Sequence, residues 1–403
     1  MRDALHARKT ICMLVMNAMD VMDDPRVRRE AEAASRAGYD VLVITRSFDP
    51  ELPTFECRNG FSVIRVRSFL PRIFTPRRNA PRILKELETL FHAFIANFQI
   101  ASQALKQKAA IYHAHEIGAL PVGYLLKRVR GAKLVYDAHE FYTESSSLRE
   151  ASRWFRWMFE QVQRYILRRV DAVITVSEMI GEEMVARYKC QRPFIVRNCP
   201  SLIQGVDVEG DPLRKVLGLE KAKKIVLYQG LYAPYRGLKQ LVESARFIQD
   251  GVVVFRGWGE LEGELKRRTR ELDLTDKVFF VKPVPLDQVT RAAAEADIGV
   301  VPIMPDILSY RYCAPNKLFE YFAMGKPAVA SALPGLVTTF DSDCVLYFQP
   351  DDEKDLAARV LELYHSPEKR ASLASHAQEF YRNCQWQVMK YEYLKVYEEC
   401  IKS

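Results

Sequence analysis

The sequence predicts an α/β chain made of two doubly wound, Rossmann-like domains in tandem. Three observations predict it. Short β-branched runs alternate with helical stretches, the pattern of a parallel sheet with helices on both faces. The alternation lapses near residues 200–211 and then begins again. In the second half, three glycine- or charge-bearing loops follow predicted strands, at the sheet end where open parallel sheets bind ligands.

In chain order, residues 11–15, 41–45, 111–114, 134–137 and 172–176 read as buried strands, with helices at 26–37 and 121–129 between them. The second half places strands at 225–229, 252–256, 278–281 and 298–301, and helices at 237–247, 260–271 and 286–294. With 403 residues, each half is long enough to bury its own core.

Composition narrows the class. Hydrophobic residues make up 48% and charged residues 27%, as in ordinary globular protein. No apolar stretch reaches the roughly 18 residues of a spanning helix, and residues 1–10 carry no signal-peptide core. The eight cysteines form no C-x-x-C pair and have no zinc spacing with histidine. Reduced thiols and a cytoplasmic location, at most peripheral at a membrane, are expected.

The net charge of +8 is uneven. Residues 1–200 hold 32 Lys+Arg and 22 Asp+Glu; the remainder holds 27 and 29. From Arg58 to Lys85, eight basic residues occur without an acid: Arg58, Arg65, Arg67, Arg72, Arg77, Arg78, Arg82 and Lys85. Such a patch suits an anionic partner, and a solvated basic face accounts for it equally well. The basic, aromatic stretch from Arg153 to Arg169 reads either as an interfacial helix or as a core helix rimmed by arginines. Together they make peripheral contact with an anionic membrane and a lipid-linked acceptor an expectation. Nucleic acid fits the charge but has no motif here.

The segment from Tyr312 to Ser331, YCAPNKLFEYFAMGKPAVAS, carries the most chemistry. Pro315 suits the first turn of a helix that ends at Gly325. Its free N–H groups, with Lys317, make a site for a diphosphate. Glu320 stands one turn on and suits the hydroxyls of a ribose; a capped surface helix with an i, i+3 ion pair is the plainer alternative. Two further loops follow strands: YQGLYAPYRG (228–237), with Gly230 and Arg236, and FRGWGE (255–260), with Gly257 and Gly259. The glycines allow close backbone approach, and the arginine fork suits phosphate oxygens.

In this order, YQGLYAPYRGL, VVFRGWGE, ADIGVVPI and APNKLFEYFAMGKPAVAS resemble glycosyltransferase family 4, retaining enzymes of the GT-B fold. The N-terminal pieces DDPRVRREAEAASRAGYDVLVITR, IYHAHE, LVYDAHEFYTE, DAVITVSE and FIVRNCP fall in the matching order. The resemblance implies an acceptor-side domain over 1–203, a nucleotide-sugar domain over 204–384, and a final helix over 385–403 crossing back to the first. It implies a catalytic set of His139, Arg236 and Lys317. Donor contacts would come from Gly230, Gly257, Gly259, Asn316, Leu318 and Glu320. The acceptor side would be formed by Asp24, Arg26, His113, His115 and Glu140. Asp24 and Arg26 also fit a plain helix start at Pro25, and His139 a plain strand cap.

The chain departs from the family pattern at Tyr312, where a first glutamate is usual, and at Leu231, where an arginine is usual. No acidic D-x-D stands at a donor loop; Asp341-Ser-Asp343 lies elsewhere. Transfer without a metal or other cofactor is therefore expected, the leaving phosphate being held by Arg236, Lys317 and a helix end. The expected partners are a nucleotide-sugar donor and a glycan, lipid-linked or small-molecule acceptor. A non-catalytic sugar-nucleotide binder and a sugar-nucleotide epimerase remain as alternatives.

Overall fold

The computed structural model describes residues 8–16, 24–67, 81–145, 148, 151–201, 212–220, 223–249 and 251–402. Arg72, Arg77 and Arg78 of the basic patch lie outside these. The described chain divides into two compact units: Met1–Val196 with Lys390–Ser403, and Arg197–Met389.

Unit 1 is built on one eight-stranded sheet. Its strands are β1 (Thr10–Val15), β2 (Asp40–Ser47), β3 (Phe55–Arg58), β4 (Phe61–Arg67), β5 (Ile111–His115), β6 (Lys133–Ala138), β7 (Ala172–Thr175) and β8 (Phe194–Ile195), in the order β3-β4-β2-β1-β5-β6-β7-β8. All neighbours pair in parallel except β3 with β4. Helices α1 (Pro25–Arg36), α2 (Arg82–Ala104), α3 (Glu116–Arg130), α4 (Arg153–Leu167) and α5 (Glu178–Tyr188) supply the connections. The central strands are buried along their length, as a sheet covered on both faces requires.

The expected strands and both expected helices of this half are present. Three strands were not expected. The β3–β4 hairpin turns at Asn59 and Gly60, both at positive φ, which is the Asn-Gly turn that matches strand twist. That dipeptide was the available signal.

Unit 2 has a six-stranded parallel sheet: β9 (Lys224–Leu231), β10 (Gly251–Trp258), β11 (Val278–Val281), β12 (Ile298–Val301), β13 (Ala328–Ser331) and β14 (Leu346–Phe348), ordered β11-β10-β9-β12-β13-β14. Its helices include α6 (Leu238–Ser244), α7 (Glu262–Glu271), α8 (Val289–Ala292), α9 (Leu308–Arg311) and α10 (Asn316–Ala323). Val226, Val253, Phe255, Ile298, Val300 and Val329 place the sheet in a continuous core with Leu241, Leu356 and Leu363 from the helices. The strands β13 and β14 are four and three residues long and lack a distinctive pattern, so only the pairing of β13 with β12 and of β14 with β13 reveals them. The final helix, α11 (Trp386–Lys402), joins unit 1 from Lys390 onward. Among the described residues, no helix is long and apolar enough to cross a membrane.

Candidate functional site

In unit 2 the predicted donor residues come together at the carboxyl ends of β9 and β10. Gly230 and Gly257 face each other in the β9–β10 register. A Cβ on Gly257 would stand 1.9 Å from the Gly230 carbonyl oxygen, so no side chain fits between the two strand ends. A Cβ on Gly230 would lie 2.8 Å from Lys317 Nζ. Gly230 therefore clears the space that Lys317 occupies. Gly259 serves a third close approach, 2.3 Å from the Tyr232 carbonyl oxygen for an added Cβ.

Lys317 is the second residue of α10; its Nζ lies 5.1 Å from the centre of the Tyr228 ring. Burial, and then the charge of Arg236, lowers its pKa to about 8. Arg236 stacks its guanidinium 4.4 Å from the centre of the Tyr310 ring. Among the described residues, neither cation has a carboxylate within ion-pair distance, and Arg236 Nε is buried without a hydrogen-bond partner. A desolvated lysine and a half-buried arginine beside a helix N-terminus form a place for an anion.

Pro315 is the residue before the helix, not its first turn: it has extended geometry, and α10 starts at Asn316, which is exposed. Glu320, one turn along, accepts a hydrogen bond from Gln229 Nε2 at 2.6 Å. Gln229 also donates to the Val289 carbonyl, which fixes its amide. Gln229 is thus a positioning partner that sequence reasoning missed. Leu318 is a correction: its side chain is fully buried, on the core side of α10 beside Phe319 and Phe322, so only its backbone could meet a ligand.

Unit 1 assembles a different cluster. Asp24 caps α1, its Oδ1 accepting from the backbone N–H groups of Arg26 and Val27 at 3.0 and 3.2 Å. Arg26 corrects its acceptor-side assignment. It is buried and its donors are spent inside the protein: Nε and Nη2 on the Asp137 carboxylate at 2.8 and 2.7 Å, and Nη1 on the Val196 carbonyl at 2.8 Å. His113 is a second correction. It is the third residue of β5, one pleat back from the strand end, and its Nδ1 meets Tyr397 Oη of α11 at 2.7 Å. Burial holds its pKa well below the usual value, so it is a neutral core histidine.

His115, at the end of β5, is buried with Nδ1 3.3 Å from His139 Nε2 and 3.4 Å from Asp137 Oδ2. His139 stands between two carboxylates: Nε2 is 3.1 Å from Asp137 Oδ2, and Nδ1 is 3.3 Å from Glu116 Oε1. Burial alone would lower its pKa, but Asp137 and Glu116 outweigh that and raise it to about 9. His139 is therefore an imidazolium at neutral pH, with 20% of its side chain exposed. Glu140 follows it, half-buried.

Three carboxylates here were missed: Asp137, which the other side chains surround, Glu116 and Glu30. Glu116 opens α3 at φ 64°, a strained conformation for a side-chain residue. Burial raises its pKa to about 7, and its Oε2 is buried without a hydrogen-bond partner. Its signal was its place directly after His113 and His115. Glu30 lies one turn beyond Arg26, fully buried, its pKa raised by burial and by Asp137 to about 8. Among the described residues, Glu30, His113, His115 and Asp137 bring ligand-type atoms within 4.8 Å of one another. Sequence spacing did not reveal this grouping. Arg26 is a resident cation within it, 3.1 Å from Glu30 and 2.7 Å from Asp137.

Two parallel-sheet, Rossmann-like units, one ending in paired glycine loops and a cationic helix start, define the GT-B class of fold. Comparison with known proteins agrees. Residues 24–198 match the family described as "Glycosyl transferase 4-like domain", and residues 210–380 match "Glycosyl transferases group 1". The chain belongs to the glycosyltransferase family 4 type.

The D-inositol 3-phosphate glycosyltransferase of Mycolicibacterium smegmatis is 25% identical over 281 residues, 67% of this chain and 63% of that one. The protein of the same name from Corynebacterium aurimucosum is 21% identical over 88% of this chain and 86% of its own. The chain thus spans less than two thirds of the M. smegmatis relative. Among solved structures, the sucrose-phosphate synthase of Thermosynechococcus elongatus superposes with a TM-score of 0.78 at 21% identity, covering 97% of this chain and 98% of that one. Anabaena HepE in complex with UDP-glucose gives 0.73 at 15% identity, covering 97% and 100%.

Proposed function

We propose that this chain is a retaining glycosyltransferase. It would move a hexose-type sugar from a nucleotide-diphosphate donor to a saccharide, lipid-linked or small-molecule acceptor, in glycan or glycoconjugate biosynthesis. The observation that carries this is the pair Lys317 and Arg236, the lysine desolvated and neither cation within ion-pair distance of a carboxylate among the described residues, beside the start of α10. The family and the UDP-glucose complex of HepE support it. A reducing, cytoplasmic setting is part of the same proposal.

In this mechanism the donor diphosphate lies against Lys317, Arg236 and the N–H groups that open α10. Its arrival returns Lys317 to the fully charged state. Glu320, held by Gln229, accepts hydrogen bonds from the ribose hydroxyls. As the glycosidic bond breaks, negative charge grows on the leaving phosphate, and fixed cations lower the barrier without a metal ion. His139 has both ring nitrogens committed to carboxylates, so it acts as a fixed positive charge and not as a base. Deprotonation of the acceptor is then left to the departing phosphate on the same face of the sugar, giving retention.

The test is a thermal-shift screen with UDP-, GDP-, ADP- and dTDP-sugars, with and without Mg²⁺, on the native protein and on Glu320→Ala. Stabilisation by one nucleotide family, lost in the variant, is expected. Turnover should survive EDTA; loss of most activity there would overturn the metal-independent route. Binding without turnover would point to a non-catalytic binder, and nucleotide release without an acceptor to an epimerase.

A further inference from the structure

Helix α2 carries its apolar stripe on the outside. A surface helix normally turns that stripe to the core. Here Ile83, Leu84, Leu87, Phe91, Phe94 and Phe98 are all exposed, the phenylalanines at 55%, 66% and 64%. At 3.6 residues per turn these six positions fall within a sector of about 100° and extend over roughly 22 Å. The opposite flank supplies the buried Ala96 and Ile100. An exposed stripe of this size marks an interaction surface.

Its surroundings specify the occupant. The start of α4 is fastened to α2, because Ser152 donates to the Glu86 carboxylate through both its backbone N–H and its hydroxyl. This brings Trp154 into one groove of about 490 Å³ with Ile83, Leu87 and Leu90. Trp154 and Trp157 are exposed at 58% and 56%. Arg82 lines that groove, and Lys85, Arg153 and Arg156 belong to the same first turns of α2 and α4. Of the nearby acids, Glu86 is taken up by Ser152 and Arg82, leaving Glu88. Indole rings sit well at the boundary between lipid tails and headgroups, and lysine and arginine are drawn to anionic phosphates.

We infer that this face of unit 1 docks on an anionic lipid bilayer, with α2 lying in the interface plane and Trp154 and Trp157 at headgroup depth. The surface is separate from the residues proposed to bind the donor and does not depend on them.

The experiment is co-sedimentation of the full chain with vesicles of phosphatidylcholine alone or mixed with phosphatidylglycerol. The native protein should pellet with the mixed vesicles and stay in solution with the neutral ones. Phe91→Ser combined with Phe94→Ser should weaken this binding by about ten-fold or more, and Arg153→Glu should weaken it less. Unchanged melting temperatures would show that the variants are folded. Unchanged nucleotide-induced stabilisation would separate this surface from the donor site. No pelleting, equal pelleting on neutral vesicles, or full binding by the double variant would each overturn the proposal. So would a dimer that the double variant dissolves in a protein that ignores vesicles, which would assign the face to a second copy.

Discussion

Units 1 and 2 each gather cations near the carboxyl ends of a parallel sheet and use them in opposite ways. In unit 1, Arg26 faces Asp137 and Glu30, and His139 stands between Asp137 and Glu116. In unit 2, Lys317 and Arg236 lie over tyrosine rings with no carboxylate within ion-pair distance among the described residues, Glu320 acting on Lys317 only from further off. The difference teaches that charge near a sheet mouth is not by itself a binding signal. A buried cation paired within the chain holds the fold. A desolvated cation with no carboxylate at ion-pair distance spends stability that a ligand can return.

The largest expected effect tests that distinction directly. Arg26→Ala strips the buried Asp137 and Glu30 of their shared guanidinium and leaves Asp137 only His139 and His115, which costs about 3–5 kcal/mol and should appear as a large drop in the melting temperature of unit 1. Lys317→Ala should leave melting unchanged or raise it slightly, yet lower turnover by about 10²–10³-fold. Equal destabilisation by the two variants would erase the contrast. Next, Glu320→Ala should weaken nucleotide binding by about ten-fold or more, the worth of hydrogen bonds to a charged group, measured by calorimetric titration. Gln229→Ala, which frees the same carboxylate, should give a smaller loss of the same kind.

The smallest effect is a pH response of opposite sign in the two units. His139 is raised from 6.5 to about 9, so its contribution to unit 1 is complete below the lower value and lost as pH rises through the upper one. Glu30 and Glu116, raised to about 8 and about 7, act in the same direction. Lys317 is depressed from 10.5 to about 8, so folding of unit 2 is opposed below about 8 and that opposition fades as pH climbs toward 10. Calorimetry between about pH 7 and pH 9.5 should show the unit 1 transition falling and the unit 2 transition rising. His139→Gln should flatten the first shift. Two transitions falling in parallel would remove this part of the comparison.

Much of the fold was legible because buried parallel strands are written as β-branched runs. Ile298–Val301 and Val278–Val281 are found where the pattern put them. Some strands that escaped are short or marginal: Leu346–Phe348 has three residues, and Phe55–Arg58 is an exposed edge. Phe61–Arg67 is seven residues long with alternate residues buried, and its arginines masked it as a basic patch. The donor-side cluster was legible because its residues are grouped on three loops, each following a strand. The unit 1 cluster was not. Arg26 and Asp137 are 111 positions apart, and His113 reaches a partner at Tyr397, near the other end of the chain.

The sequence by itself determined the two α/β halves, the family, and the glycine and cation signals of the donor loops. These rest on local spacing: strand periodicity, helix starts, and glycines where backbones must approach closely. Only the tertiary structure decided which charges are spent and which are available. Whether Arg26 binds a ligand or an internal carboxylate depends on what the fold places beside it. So does the pKa of His139, set by carboxylates from two different strand ends. The outward stripe of α2 is likewise visible as periodic residues in the sequence, but its direction is fixed by which flank packs on the sheet.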